Sequence, residues 1–223
     1  MRYARNGIFS KEDMDILKSS SVAVIGCGGL GGYIAEMLCR VGVGELILVD
    51  GDVFDETNLN RQILSTTRNI NESKAVAAKR RLESIDPEIC IKLWETYLDE
   101  NNGNQIVQSC NVVVDALDSI NTRFLLQDIC EVEKIPMVHG AIAGWYGQVA
   151  TIYPGDKLLN RVYNSKKKDG IEKKIGNPSF TPAQVASIQV SEVIKILLRR
   201  GEILRNEILY IDLLSNEYER IKF

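Results

Sequence analysis

Apolar residues fall along this chain in short runs that alternate between two spacings. The first strong run is Ser21 to Ile25, a β-branched stretch that breaks into Gly26-Cys27-Gly28-Gly29-Leu30-Gly31-Gly32 and resumes with helical spacing through Val41. Glu45 to Asp50 is a second apolar run that ends on an acid, so strand, helix and strand form one βαβ unit. Residues 51 to 71 are polar and turn-rich, and Glu72 to Ile85 then reads as a helix stopped by Asp86-Pro87. Ile89 to Trp94 and Asn111 to Asp115 are further strands. Asn121 to Lys134 has helical spacing at Phe124, Leu125, Asp128 and Ile129.

Strands alternating with helices predict a mostly parallel sheet. Pro136 to His139 and Gly147 to Tyr153 are expected as later strands. Residues 155 to 180 carry Lys166, Lys167, Lys168, Lys173 and Lys174 among Gly and Asn with weak apolar periodicity, the composition of a mobile connection. The last helix is punctuated by Thr181 as N-cap, Pro182 at the first helical position and Gln184 completing a capping-box pattern. Arg199, Arg200 and Gly201 close it, and Val185, Val190, Val193, Ile194 and Leu197 give it an apolar face. Glu207 to Asp212 and Glu217 to Ile221, joined by a Ser-Asn turn, predict a final antiparallel pair. The fold class is therefore α/β: a Rossmann-like, mostly parallel sheet flanked by helices, with an antiparallel C-terminal extension.

Composition narrows the function. At 223 residues the chain makes one compact unit with little room for a second catalytic domain. With 45% hydrophobic and 26% charged residues it falls outside the disordered and fibrous classes. A net charge of −3 supplies no positive field for polyanions, so nucleic acid is not an expected partner. Met1 to Asp13 is charged and lacks an apolar core, and no stretch of about 18 apolar residues runs uninterrupted. A cytoplasmic, soluble chain with no membrane partner is expected. The five cysteines, Cys27, Cys39, Cys90, Cys110 and Cys130, form an odd set without a C-x-x-C pair and suggest neither a disulfide framework nor a zinc knuckle. The single histidine, His139, excludes chemistry that needs two imidazoles in one chain, and it reads as a polar residue at a strand end rather than a base.

Gly26, Gly28 and Gly31 satisfy G-x-G-x-x-G between a strand and a helix, the setting in which the motif binds nucleotide. Asp50, about twenty residues on, can accept both hydroxyls of an adenosine ribose. No Gly is followed by Lys, which excludes a P-loop. To this point NAD and ATP are served equally. The polar loop separates them, because Asp52, Asn58, Asn60, Arg61 and Gln62 are followed by Lys74 at a helix start, where a cation opposes the macrodipole. Two cations and amide donors beside a nucleotide fingerprint suit a triphosphate. Asp118, just past the fourth strand, is placed to hold magnesium on the phosphates or to cap the next helix, and Asp115 can be structural.

These residues resemble the ThiF/MoeB/HesA family, similar to the adenylation half of ubiquitin-activating enzymes. The resemblance is carried by Arg2-Tyr3-Ala4-Arg5, the glycine loop including Gly29, Gly42-Val43-Gly44, Leu48-Val49-Asp50-Gly51-Asp52, Asn58-Leu59-Asn60-Arg61-Gln62, Lys74, and Asp115 through Asp118 with Arg123. It implies an ATP- and Mg2+-dependent adenylyltransferase acting on the C-terminal Gly-Gly carboxylate of a small ubiquitin-like sulfur carrier, for thiamin or molybdopterin-type cofactors. It also implies one domain over residues 1–223, with the nucleotide part at about 1–135 and the carrier-binding part at about 136–223, crossed by the loop at 155–180. Position by position, Asp50 takes the ribose, Asn58, Arg61 and Lys74 the phosphates, Asp118 the magnesium, and Arg5 reaches the nucleotide of a homodimer partner. Many relatives carry paired zinc-binding cysteines and some a crossover cysteine, whereas residues 151–223 contain no cysteine, so no structural zinc is expected. The rival readings are an NAD-dependent oxidoreductase, a noncatalytic nucleotide-binding subunit, and an enzyme adenylating a carboxylate on modified tRNA. The acidic balance weighs against the last.

Overall fold

The computed structural model describes residues 2–163 and 175–223. Its centre is β1 (Ser21–Ile25), flanked by β2 (Glu45–Val49) and β4 (Val112–Asp115), both parallel to it. Every residue of β1 and β4 is buried, as expected of parallel strands covered on both faces. The alternation is visible in the packing: Val22, Val24, Leu46 and Leu48 enter one apolar layer, while Ala23, Ile25, Ile47 and Val49 enter the other. Adding β3 (Cys90–Trp94), β5 (Met137–Ala143), β6 (Tyr146–Ile152), β7 (Glu207–Asp212) and β8 (Glu217–Lys222) gives one sheet in the order β3-β2-β1-β4-β5-β6-β7-β8. It is parallel from β3 to β5 and antiparallel from β5 to β8. The α/β, mostly parallel sheet with an antiparallel C-terminal extension is thus the observed architecture.

Two helical layers cover the sheet. On one side lie α1 (Lys11–Ser19), α2 (Gly31–Val41), α3 (Lys74–Ile85) and α7 (Phe180–Leu198); α4 (Gly103–Val107), α5 (Ile120–Glu133) and α6 (Leu159–Val162) lie on the other. None of the helices in the described residues is long and apolar enough to cross a membrane. Of the mobile connection expected over residues 155–180, the lysines at 166–168, 173 and 174 lie outside the described residues, while its first part is not loose chain: it holds α6, with Leu158 and Leu159 buried against the sheet.

Several local expectations change. α1 was not foreseen, because Leu17 is its one buried apolar side chain. A reciprocal cap starts it, with the Asp13 amide donating to Ser10 Oγ and the Ser10 amide to Asp13 Oδ2, and Arg200 fastens Asp13 from α7's far end. β5 runs past His139 to Ala143, because seven residue pairs with β6 hold it in a tight hairpin closed by Gly144 and Trp145. Thr181 is not the N-cap of α7. The helix begins at Phe180 after Ser179, which makes no side-chain cap, and the fully buried Thr181 hydroxyl donates to Gly144 O at 2.6 Å. That bond joins the last helix to the hairpin turn. Thr181→Val should therefore destabilise the fold by about 1–3 kcal/mol, having orphaned a buried carbonyl, whereas Ser179→Ala should be nearly neutral. Urea unfolding of the two variants measures the difference.

Candidate active site

Ligands of open α/β sheets bind beyond the carboxyl ends of the strands, where neighbouring strands send their chains to opposite faces. Here that point lies between β1, which feeds α2, and β4, which feeds α5. Gly26 has φ +98°, and a Cβ there would stand 2.8 Å from Ala116 O, so only glycine fits the turn. A Cβ on Gly31 would come to 1.8 Å from Gly26 O, so the start of α2 can approach the turn only without a side chain. Gly28 and Gly29 are left facing a cavity of about 600 Å3, a size typical of small-molecule sites.

Asp50, Asp52, Asn60, Arg61, Gln62, Lys74 and Asp118 all reach the wall of that cavity. Asp50 follows β2, and its carboxylate accepts from the Cys27 amide at 2.7 Å and the Asp52 amide at 2.8 Å. Burial raises its pKa despite those two amides. Lys74 is buried at the start of α3 and donates to Asp52 Oδ2 at 2.9 Å, which accounts for a cation at an unfavourable helix end. Tyr97 donates to the other Asp52 oxygen at 2.5 Å. Burial acts to raise the Asp52 pKa, but Tyr97 and Lys74 outweigh it and hold the carboxyl below its usual range. Arg61 Nη1 donates to Thr57 O and Asn60 Oδ1, both at 2.9 Å, so a short turn aims the guanidinium. Gln62 is buried against Gly28, and its Oε1 has no hydrogen-bond partner among the described residues.

One expected site residue is placed elsewhere, and another stands apart from its own chain's cavity. Asn58 is buried away from the cavity wall: its Oδ1 accepts from the Asp55 amide at 3.3 Å, closing the 3-10 turn Glu56–Asn58, and its carbonyl accepts from the Arg61 and Gln62 amides. It shapes the turn that presents Arg61 and Gln62. Arg5 is exposed and outside its own chain's cavity, on a segment pinned by Arg2 and Tyr3 to Asp86. Asp118 does not cap α5; Ser119 does, accepting from the Thr122 amide. Sequence reading missed Tyr97, Leu98, Ile142 and Asn177 on the wall. Tyr97 and Leu98 were findable, since β3 is parallel to β2 and its carboxyl end must open on the same edge. Asn177 comes from far along the chain, where its carbonyl accepts from Asn60 Nδ2 at 3.1 Å.

Comparison with known proteins agrees with this geometry. The ThiF family profile matches residues 2–223. The SAMP-activating enzyme E1 of Haloferax volcanii is 34% identical, over 100% of this chain and 84% of that protein. The molybdopterin-synthase adenylyltransferase of Haemophilus influenzae is 32% identical, over 100% and 94%. The sulfur carrier protein ThiS adenylyltransferase of Bacillus subtilis is also 32% identical, over 99% and 67%. Among solved structures, E. coli MccB superposes with a TM-score of 0.85 over 99% of this chain and 69% of that one; at 23% identity this speaks for the fold alone. With a family match across nearly the whole chain and relatives above 30% identity of which it covers 67–94%, the chain belongs to the ThiF family and is an enzyme of its adenylyltransferase type.

Proposed function

We propose that this enzyme uses ATP and Mg2+ to adenylate the C-terminal Gly-Gly carboxylate of a small ubiquitin-like sulfur carrier, in the cytoplasm, for biosynthesis of a thiamin- or molybdopterin/tungstopterin-type cofactor. The observation that carries the reading is the convergence of Lys74, Arg61 and Asp118 on one cavity beside a glycine turn and a ribose-type acid, Asp50. The donor set fits a triphosphate with a divalent ion: two cations and an amide for phosphate oxygens, and one exposed carboxylate for a metal that takes one or two carboxylates and completes its shell with phosphate. NAD would need the ribose acid and the glycine turn but not the cations. The names of the three relatives supply the carrier class.

In this reaction the carrier carboxylate attacks the α-phosphorus, the bond to the bridging oxygen breaks, and pyrophosphate leaves with both electrons. No side-chain nucleophile is required, so catalysis is positioning and charge neutralisation. Asp50 orients the ribose, Gly28 and Gly29 let the phosphates approach the α2 amides, and Asp118 would hold Mg2+, which would supply charge neutralisation on the phosphates. Lys74 and Arg61 face the charge that builds on the leaving pyrophosphate. Lys74 exchanges Asp52 for phosphate, and Tyr97 keeps Asp52 in place meanwhile. Residues 136–223 form the carrier side. The thiols take no part: Cys27, Cys39, Cys110 and Cys130 are buried, burial pushes Cys39 up to about 11 and Cys110 up to about 12, and the exposed Cys90 sits at the amino end of β3, where burial and its hydrogen bond to Glu45 raise its pKa.

Arg61→Ala should lower carrier-dependent ATP–pyrophosphate exchange about 10²–10³-fold while sparing the fold. A rate within threefold of the parent would remove Arg61 from the site, and a melting temperature raised by NAD but not by magnesium-ATP would defeat the reaction itself. Replacing all five cysteines by Ala or Ser should leave exchange intact, and metal analysis should find no stoichiometric zinc. A carrier thioester trapped on any cysteine would contradict this. We further propose that the chain is a two-fold dimer in which the exposed Arg5 arm reaches the neighbour's site. Arg5→Ala and Asp118→Ala homodimers should each be nearly inactive, whereas random co-assembly should restore about a quarter of the intact sites. Inactive mixed dimers would place Arg5 outside the partner's site.

A further inference from the structure

Behind the cavity wall lies a buried polar cluster that the adenylation chemistry leaves unused. His139, in the middle of β5, is fully buried, and so is Asp115 at the end of β4 beside it. His139 Nδ1 lies 2.6 Å from Asp115 Oδ2, and Nε2 lies 3.0 Å from the Tyr163 hydroxyl, with the two rings edge to face. Asp115 Oδ1 accepts from the Leu117 amide at 3.0 Å. Arg123 donates to Leu117 O at 2.6 Å through Nη2 and to the Tyr163 hydroxyl at 3.1 Å through Nη1. Gln148 Nε2 donates to the same hydroxyl at 2.5 Å and lies 3.2 Å from His139 Nε2.

The partners fix the polarity of these bonds. Asp115 accepts the Leu117 amide through Oδ1 and faces Nδ1 with Oδ2, so Nδ1 carries the imidazole proton and Nε2 is an acceptor. Arg123 Nη1 and Gln148 Nε2 carry only hydrogens, so the Tyr163 hydroxyl accepts from both and points its own proton at the Nε2 acceptor 3.0 Å away. The bonds close a ring: Tyr163 to His139, His139 to Asp115, Asp115 and Arg123 to the two sides of the Leu117 residue, and Arg123 back to Tyr163. Burial drives the His139 pKa down although Asp115 opposes it.

Leu117 immediately precedes Asp118, and Tyr163 is the last described residue before the crossover. We propose that His139 and Tyr163 are positioning residues, a hydrogen-bonded ring that holds the 116–118 peptide, and with it the Asp118 carboxylate, in register with the chain entering the crossover. The inference rests on the reading of Asp118 as the magnesium carboxylate. Its physical content is that Asp118 stands exposed between the end of β4 and the Ser119 cap of α5, inside neither element, so a grip on the adjacent Leu117 peptide bears directly on where its carboxylate points.

His139 is the chain's only histidine, so its imidazole nitrogens can be read in the full-length protein without assignment. A 15N imidazole spectrum should show Nδ1 protonated and Nε2 as acceptor, unchanged from pH 6 to 8. Tyr163→Phe should lower kcat for exchange about tenfold, the worth of one lost hydrogen bond. The KM for ATP should hold, and half-maximal exchange should need more Mg2+. Its melting temperature should fall by only about 2–4 °C. His139→Asn keeps a donor for Asp115 but removes the acceptor for Tyr163, so it should reproduce the Tyr163→Phe profile, and the double variant should be no worse than either single. The proposal is overturned by an Nε2-protonated imidazole, by Tyr163→Phe with parental kcat and Mg2+ requirement, or by additive losses in the double variant. If Tyr163→Phe does not fold, the His139→Asn profile and the parental spectrum decide alone. A parent that forms no adenylate yet shows the expected tautomer defeats the reaction and leaves the ring standing; an active parent with the other tautomer defeats the ring alone.

Discussion

The close approach of α2 to the turn after β1 is the contact on which the site depends. A single methyl group at Gly31 would overlap the Gly26 carbonyl, and one at Gly26 would press on Ala116 O. Because neither is present, the amide end of α2 sits directly over the gap between β1 and β4. The Gly26 amide donates to Val49 O and the Ala116 amide to Ile25 O, so both turns are tied to neighbouring strands. Widening that junction would move the glycine turn away from Asp50 and from the Asp118 loop together.

Charge is arranged around the junction so that each cation has a protein partner in reach. Lys74 is buried, and Asp52 offsets both its desolvation and its clash with the α3 macrodipole. Arg61 rests on carbonyl oxygens of its own turn rather than on a carboxylate. The two are therefore held differently: in the proposed reaction Lys74 would have to break an ion pair to reach phosphate, whereas Arg61 would leave only neutral oxygens. Asp118, on an exposed loop, depends for its position on the peptide beside it.

Much of this was legible from the chain itself. The β1–α2–β2 unit, the apolar face of α7 and the C-terminal hairpin follow from periodicity and turn chemistry, because burial on one or two faces dictates which positions are apolar. Asp50, Asp52, Arg61, Gln62, Lys74 and Asp118 were recognisable because charged and amide side chains clustered after strand ends have few structural uses. The helix of residues 11–19 was not recognisable, since its cap and a half-exposed ion pair from Arg200 to the buried Asp13 replace most of the apolar stripe a reader looks for.

What the sequence determined by itself is the α/β alternation, the nucleotide-type glycine turn and the set of residues at the strands' carboxyl ends, all of which rest on local spacing. What only the tertiary structure decided is which side chains meet. Asn58 and Arg61 stand three residues apart, yet the turn buries one and aims the other at the cavity. Thr181 has the sequence of a cap but spends its hydroxyl on Gly144, 37 positions away. His139 reads as a strand-end polar residue until β4, β6 and the chain at Tyr163 surround it. Hydrogen-bond partners distant along the chain leave no periodic trace, because the spacing between them is set by loops whose lengths carry no information about what they bring together.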